Sequence, residues 1–172
     1  MINKPELSSL PYYYQYYVNL ITENDLFEAF ENNKKEFIQF ISSIEKDKLD
    51  FSYEMNKWTV REVIRHILDT ERIFQYRAFR FSRFDFTPLS GFDENKYISK
   101  TTHLILNKEE LIEEFSLIRQ NTIALYRQMN NDMLDFLGEA NKQQSNARGL
   151  GFFIVGHQKH HTKIIKERYF LN

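Results

Sequence analysis

Apolar side chains recur along this chain three and four residues apart, the spacing of helix faces, and alternating strand-like runs are missing. Leu26, Phe30, Phe37, Ile41 and Ile44 share one stripe, which predicts a first helix over about 23–44 with Thr22 as its N-cap. The second helix has a sharper start. Thr59 and Glu62 stand at capping-box spacing and Trp58 and Val63 at hydrophobic-staple spacing, and Ile64, Ile67, Phe74 and Ala78 carry the pattern to about Phe81. The same device returns at Asn107 and Glu110, flanked by Leu106 and Leu111, for a third helix reaching about Met129. A fourth begins near Ser145 and continues through Leu150, Ile154, Ile164 and Ile165. Little or no sheet is expected.

The connection 84–106 exceeds the roughly 12–15 residues beyond which structureless loops are uncommon, and its aromatic content predicts a packed lid or crossover. Residues 1–21 precede the first helix as an arm, with Pro11 opening the run Tyr12-Tyr13-Tyr14-Gln15-Tyr16-Tyr17. Packing with solvated hydroxyls is the expected role of those rings. All three prolines lie outside the predicted helices, where each would be strongly disruptive. Four amphipathic helices with one long crossover between the second and third predict an all-α four-helix bundle, forming one domain over residues 1–172.

Composition narrows the function classes. The 23 basic and 24 acidic side chains nearly cancel, which argues against nucleic-acid or membrane-surface binding driven by bulk charge. Arg61, Arg65, Arg72 and Arg83 cluster on the outer face of the second helix, and a solvated face is the expected reading. With no cysteine, disulfides and thiolate ligands are excluded, so any metal must rest on His, Asp or Glu. The N-terminus lacks a signal-peptide pattern, and no run approaches the roughly 18 apolar residues of a membrane span. A cytoplasmic location is expected.

Three of the five histidines fall within Gly156-His157-Gln158-Lys159-His160-His161. At about 100° per residue, His157 and His161 lie on the buried stripe of the fourth helix, one turn apart, while His160 lies on its flank. Such a pair can offer two imidazole nitrogens to one ion. Buried without partners, those nitrogens would each cost about 1–3 kcal/mol. The spacing alone leaves a structural pair and a ligating pair both open. Gly149, Gly151 and Gly156 crowd the first half of the same helix at about 1 kcal/mol each, which implies close approach by another element. His66 lies at the edge of the second helix's apolar face, on a line shared with Thr70 and Arg77, and periodicity does not decide its role. His103 is expected at the surface. Gln158 occupies the glutamate position of an HExxH protease motif, so that base is missing.

Lys57-Trp58-Thr59-Val60-Arg61-Glu62-Val63-Ile64-Arg65-His66-Ile67-Leu68-Asp69-Thr70-Glu71-Arg72 resembles the second-helix signature of the DinB-like superfamily. Gly156 to His161, followed by Lys166-Glu167-Arg168-Tyr169, resembles its fourth-helix signature, and Arg83 to Asp93 and the tyrosine arm are similar to one of its branches. The resemblance spans essentially the whole chain. It implies a four-helix bundle holding one divalent metal ion on three histidines, matched here by His66, His157 and His161. It further implies transfer of a low-molecular-weight thiol, thiol-dependent isomerisation or metal-dependent hydrolysis, with a small-molecule substrate, a cellular thiol among the candidates, and a homodimer as a common assembly. Nothing in the chain supports contact with nucleic acid or membrane. Three imidazoles suit zinc, nickel, copper or iron, with zinc or nickel expected. Glu71 and Asp69 are the candidate catalytic carboxylates, able to orient a ligating histidine or act as general base. Glu71 and Arg168 both fall on core stripes and are expected to pair across the bundle, unless both ends reach solvent at its rim. The alternative function is a non-catalytic helical interaction module that a metal merely fastens.

Overall fold

The structure, a computed structural model, describes residues 1–170. Its α-helices are α1 (Tyr12–Asn19), α2 (Leu26–Ser43), α3 (Val60–Phe81), α4 (Glu94–Thr101), α5 (Lys108–Tyr126), α6 (Asn131–Asp135) and α7 (Ala147–Tyr169). The four long ones, α2, α3, α5 and α7, are the four expected from periodicity and form the bundle: α7 packs on α3 and α2, and α5 packs on the same two.

Helix starts follow local chemistry. Thr59 accepts from the Glu62 amide at 3.2 Å while the Glu62 carboxylate accepts from the Thr59 amide at 2.7 Å. Asn107 and Glu110 repeat the exchange at 2.9 and 2.7 Å. The first long helix differs from expectation. Its N-cap is Asp25, whose Oδ1 accepts from the amides of Phe27 and Glu28, both at 3.1 Å, while Oδ2 accepts from the Ile2 amide at 2.8 Å. Thr22 instead donates to Glu23, because a carboxylate is the stronger acceptor and this one also ties the N-terminal segment to α2.

The expectation of almost no sheet holds except for one hairpin, β1 (Gly138–Ala140) and β2 (Gln143–Ser145), paired antiparallel. Its turn residues Asn141 and Lys142 have φ of 52° and 61°, as a two-residue type I′ turn requires. Leu89 donates to Glu139 O and accepts from the Asn141 amide, both at 2.9 Å, so the hairpin clamps the crossover. The crossover itself carries α4.

The buried apolar residues fall into two clusters, one around Phe30, Phe74, Tyr126 and Phe153, the other around Phe37, Ile64, Phe115 and Ile165. Between them lies a polar layer with at least one residue from each bundle helix: Asn33, Glu71, Arg119 with Thr122, and Gln158, all buried. The Arg119 guanidinium donates to both Glu71 oxygens (2.8 and 2.9 Å), Gln158 Oε1 (2.9 Å), Asn33 Oδ1 (2.9 Å) and Phe30 O (3.3 Å), using all five of its N–H groups. This corrects the expected Glu71–Arg168 pair. Arg168 is exposed near the end of α7 and donates to the Tyr53 hydroxyl at 3.3 Å.

Candidate metal centre

The capping box sets the register of α3 so that His66 faces α7, and Asn146, accepting from the Gly149 amide at 2.8 Å, sets the start of α7. His157 and His161 then meet His66 from one turn apart. His66 Nε2 lies 3.1 Å from His157 Nε2, and the ring centroids are 4.9 Å (66–157), 4.7 Å (66–161) and 4.4 Å (157–161) apart. One ring nitrogen from each histidine lies within 4.8 Å of those of the others. Two nitrogens bound tetrahedrally at 2.0–2.1 Å would stand about 3.3 Å apart, so the 3.1 Å between His66 and His157 fits a shared ion. The cluster could hold a metal ion.

Electrostatics keep the rings in the form that ligates. Burial lowers His66 to about 4 against the opposing pull of the Glu94 charge. Burial and the neighbouring rings push His157 well down, and burial with His66 and His160 brings His161 to about 2. Neutral imidazole is the ligand species.

The histidines open on a cavity of about 740 Å³. Trp58, the staple residue of α3, stands with its ring centroid 5.1 Å from that of His66, and Phe153 stacks on His157 at 5.5 Å. The tyrosine arm reaches the same place: Tyr14 and Tyr17 are buried as packing residues, yet both line the cavity, and Tyr17 lies 5.7 Å from His157. Phe92 and Glu94 of the crossover and Asn141 of the hairpin complete the wall. His160 stands outside, its Nδ1 3.1 Å from the Tyr16 hydroxyl, and His103 is exposed as expected.

The two candidate carboxylates are engaged elsewhere. Glu71 is bound by Arg119 and by the Thr122 hydroxyl at 2.9 Å. Asp69 faces Arg72 at 3.6 Å, with its carboxyl raised by burial. Among the described residues neither is hydrogen bonded to a histidine of the cluster. Glu94, whose charge acts on both His66 and Tyr17, is the acidic group on the cavity wall. Sequence reasoning passed over it because the crossover had no predicted helix to orient it. Of the arginines expected on a solvated face, Arg61 pairs with Asp50 and Arg72 with Glu114, whereas Arg65 departs from the expectation, buried against the same Glu114 carboxylate at 2.7 Å.

Residues 29–165 match the family model of the DinB superfamily. The chain belongs to that superfamily. A search of the curated proteins found no match. Among solved structures, this DinB-superfamily chain is similar to YfiT from Bacillus subtilis, described as a probable metal-dependent hydrolase with an unusual four-helix bundle topology. The two are 20% identical with a TM-score of 0.72, covering 95% of this chain and 90% of that one, so the likeness establishes a shared fold. No helix among the described residues is long and apolar enough to cross a membrane.

Proposed function

We propose that this protein is a metal-dependent enzyme acting on a small molecule, with His66, His157 and His161 holding one divalent ion, zinc or nickel. The observation that carries the reading is the convergence of three neutral imidazoles, His66 and His157 buried and His161 half-buried, on the wall of one cavity. A purely fastening site would be closed by four protein ligands. Here the three histidines form the cluster, and an ion they held would face a cavity with room for water or substrate.

When bound, an ion at this place supplies Lewis acidity, polarising an oxygen or lowering the pKa of a water or thiol. The chain's own residues supply the setting. Trp58, Tyr17 and Phe153 pack their rings against the imidazoles. Glu94, exposed on the first turn of α4, is the group placed to take a proton from a reacting water or thiol. Transfer of a low-molecular-weight thiol to an electrophile and hydrolysis both fit this arrangement. Thiol transfer is among the activities that the resemblance to the DinB-like superfamily implies, which supports the first, and the fold shared with YfiT supports the second. The protein would act without nucleic acid or membrane, in the cytoplasm, alone or as a homodimer.

Elemental analysis of the purified protein beside the His157→Ala/His161→Ala variant tests the site. About one ion per chain in the parent and a loss to background in the variant is the expected pattern. Equal metal in both ends the assignment. Consumption of a thiol with a halogenated electrophile, set against hydrolysis of an activated ester, then separates the two reactions.

A further inference from the structure

Arg77 lies three turns beyond His66 on the same line of α3, and the two line the same cavity. It is 4% exposed, yet among the described residues no carboxylate comes within ion-pair distance of it. Its contacts are neutral: Ser90 O at 3.2 Å, the rings of Phe74 and Phe92 at 4.9 and 5.8 Å, and the Tyr14 hydroxyl beside it. The contrast with Arg119 is instructive. That guanidinium, equally buried, has a bidentate carboxylate and no donor left over, whereas Arg77 keeps donors free and its charge uncompensated. A buried charge without a counterion is costly, and arginine does not escape the cost by losing its proton. A second group on the same line is also unsatisfied: the Thr70 hydroxyl oxygen is buried, lines the cavity and has no hydrogen-bond partner. Phe74 and Phe153, stacked at 4.2 Å, make an apolar wall that runs from Arg77 to His157.

We propose that the cavity takes an organic carboxylate, its anionic head held by the fork of Arg77, its body lying on Phe74 and Phe153, and its reactive end reaching the three histidines. Thr70 supplies a hydrogen bond midway. The inference builds on the reading of this cavity as a substrate site and adds the charge of the substrate. A guanidinium matches a carboxylate with two parallel hydrogen bonds, which neither Tyr14 nor Ser90 can offer it. Glu94, the acid of the cavity, acts on His66 and Tyr17 and so discourages an anionic group at the histidine end of the ligand while leaving the Arg77 end free.

The test is titration calorimetry with 6-mercaptohexanoate and its neutral match 6-mercapto-1-hexanol, on the full-length protein both metal-loaded and metal-free. A bound ion can itself attract a carboxylate, so the metal-free arm decides. There the acid is expected to bind at least about tenfold more tightly than the alcohol. Arg77→Gln should bring the two to near parity, and Arg77→Lys, which keeps the charge but loses the fork, should fall between. Thermal melts of each variant report whether it is folded. If Arg77→Gln fails to fold, the parent and Arg77→Lys still give the comparison. No acid preference in the metal-free parent, or a preference that a folded Arg77→Gln retains, overturns the proposal; Arg77 then serves only to tie the crossover to α3 through Ser90. Acid preference in a protein that takes up no metal leaves the inference standing and removes the metal-dependent reading instead.

Discussion

At the scale of single residues the most consequential group is Arg119, which periodicity did not single out. It sits on the apolar stripe of α5 between Phe115 and Tyr126, with the rings of Phe30 and Phe115 5.2 and 5.1 Å from its guanidinium. A charged residue inside an apolar stripe was visible in the sequence and was the available signal. The sequence also showed that Glu71 needs a cation. A helical wheel, however, gives an angle and not a depth, and Arg168, at the right angle, lies where α7 runs out into solvent. Replacing Arg119 with Met leaves Glu71 buried without its counterion and strips Asn33 Oδ1 and Gln158 Oε1 of their donor. We expect a loss of about 3–5 kcal/mol in chemical denaturation. The double variant Arg119→Met/Glu71→Gln should recover part of it, because both charges are then gone. If Arg119→Met costs less than about 1 kcal/mol, the layer is not the tightly satisfied network its hydrogen bonds describe.

At the scale of elements, the position of α1 against α7 rests on Gly156. A Cβ there would stand 2.1 Å from the Tyr17 carbonyl oxygen, a backbone atom that cannot rotate away. Alanine improves helix propensity by about 1 kcal/mol, but forcing a methyl group against backbone costs about 1–3 kcal/mol, so the clash wins. Gly156→Ala is expected to lower stability and shift α1 outward, so that quenching of tyrosine fluorescence by a soluble quencher rises while metal uptake by His66, His157 and His161 persists. Unchanged stability and quenching would show that α1 already has room. The glycine density of α7 was legible as a demand for close approach; the element making that approach was not, since an eight-residue helix of mostly tyrosines has little amphipathic pattern. The four long helices were legible from their apolar stripes, reinforced at α3 and α5 by capping boxes, while at α2 the stripe sufficed although the cap is Asp25 and not Thr22. The hairpin was not. Its strands are three residues each, drawn from Gly, Glu, Gln, Ala and Ser, and its turn reads Asn-Lys where Asn-Gly would have signalled it.

At the scale of the whole molecule, the polar layer divides the core in two, and the three histidines lie beside it, Gln158 of the layer following directly on His157. Their convergence links stability to pH in a way that an ion must change. In the metal-free protein His66 has its folded-state value lowered to about 4 from an unfolded value of 6.5, and His157 and His161 are lowered as well. Between those values the unfolded chain binds more protons than the folded one, so stability falls as pH drops below about 6.5. His66 alone accounts for about 2 kcal/mol between pH 7 and pH 5. A bound ion occupies the nitrogens that protons would take, and a hundredfold excess over its dissociation constant adds about 2.7 kcal/mol at neutral pH. Protons compete with it as pH falls, so the gap between metal-loaded and metal-free melting temperatures should be widest near pH 7 and narrow towards pH 5. His66→Gln removes one titrating ring and should flatten the metal-free pH slope while abolishing most of the metal-induced gain. A metal-free melting temperature that stays level from pH 7 to pH 5 would mean the imidazoles are already solvated, and the desolvated, neutral cluster on which the site depends would have to be given up.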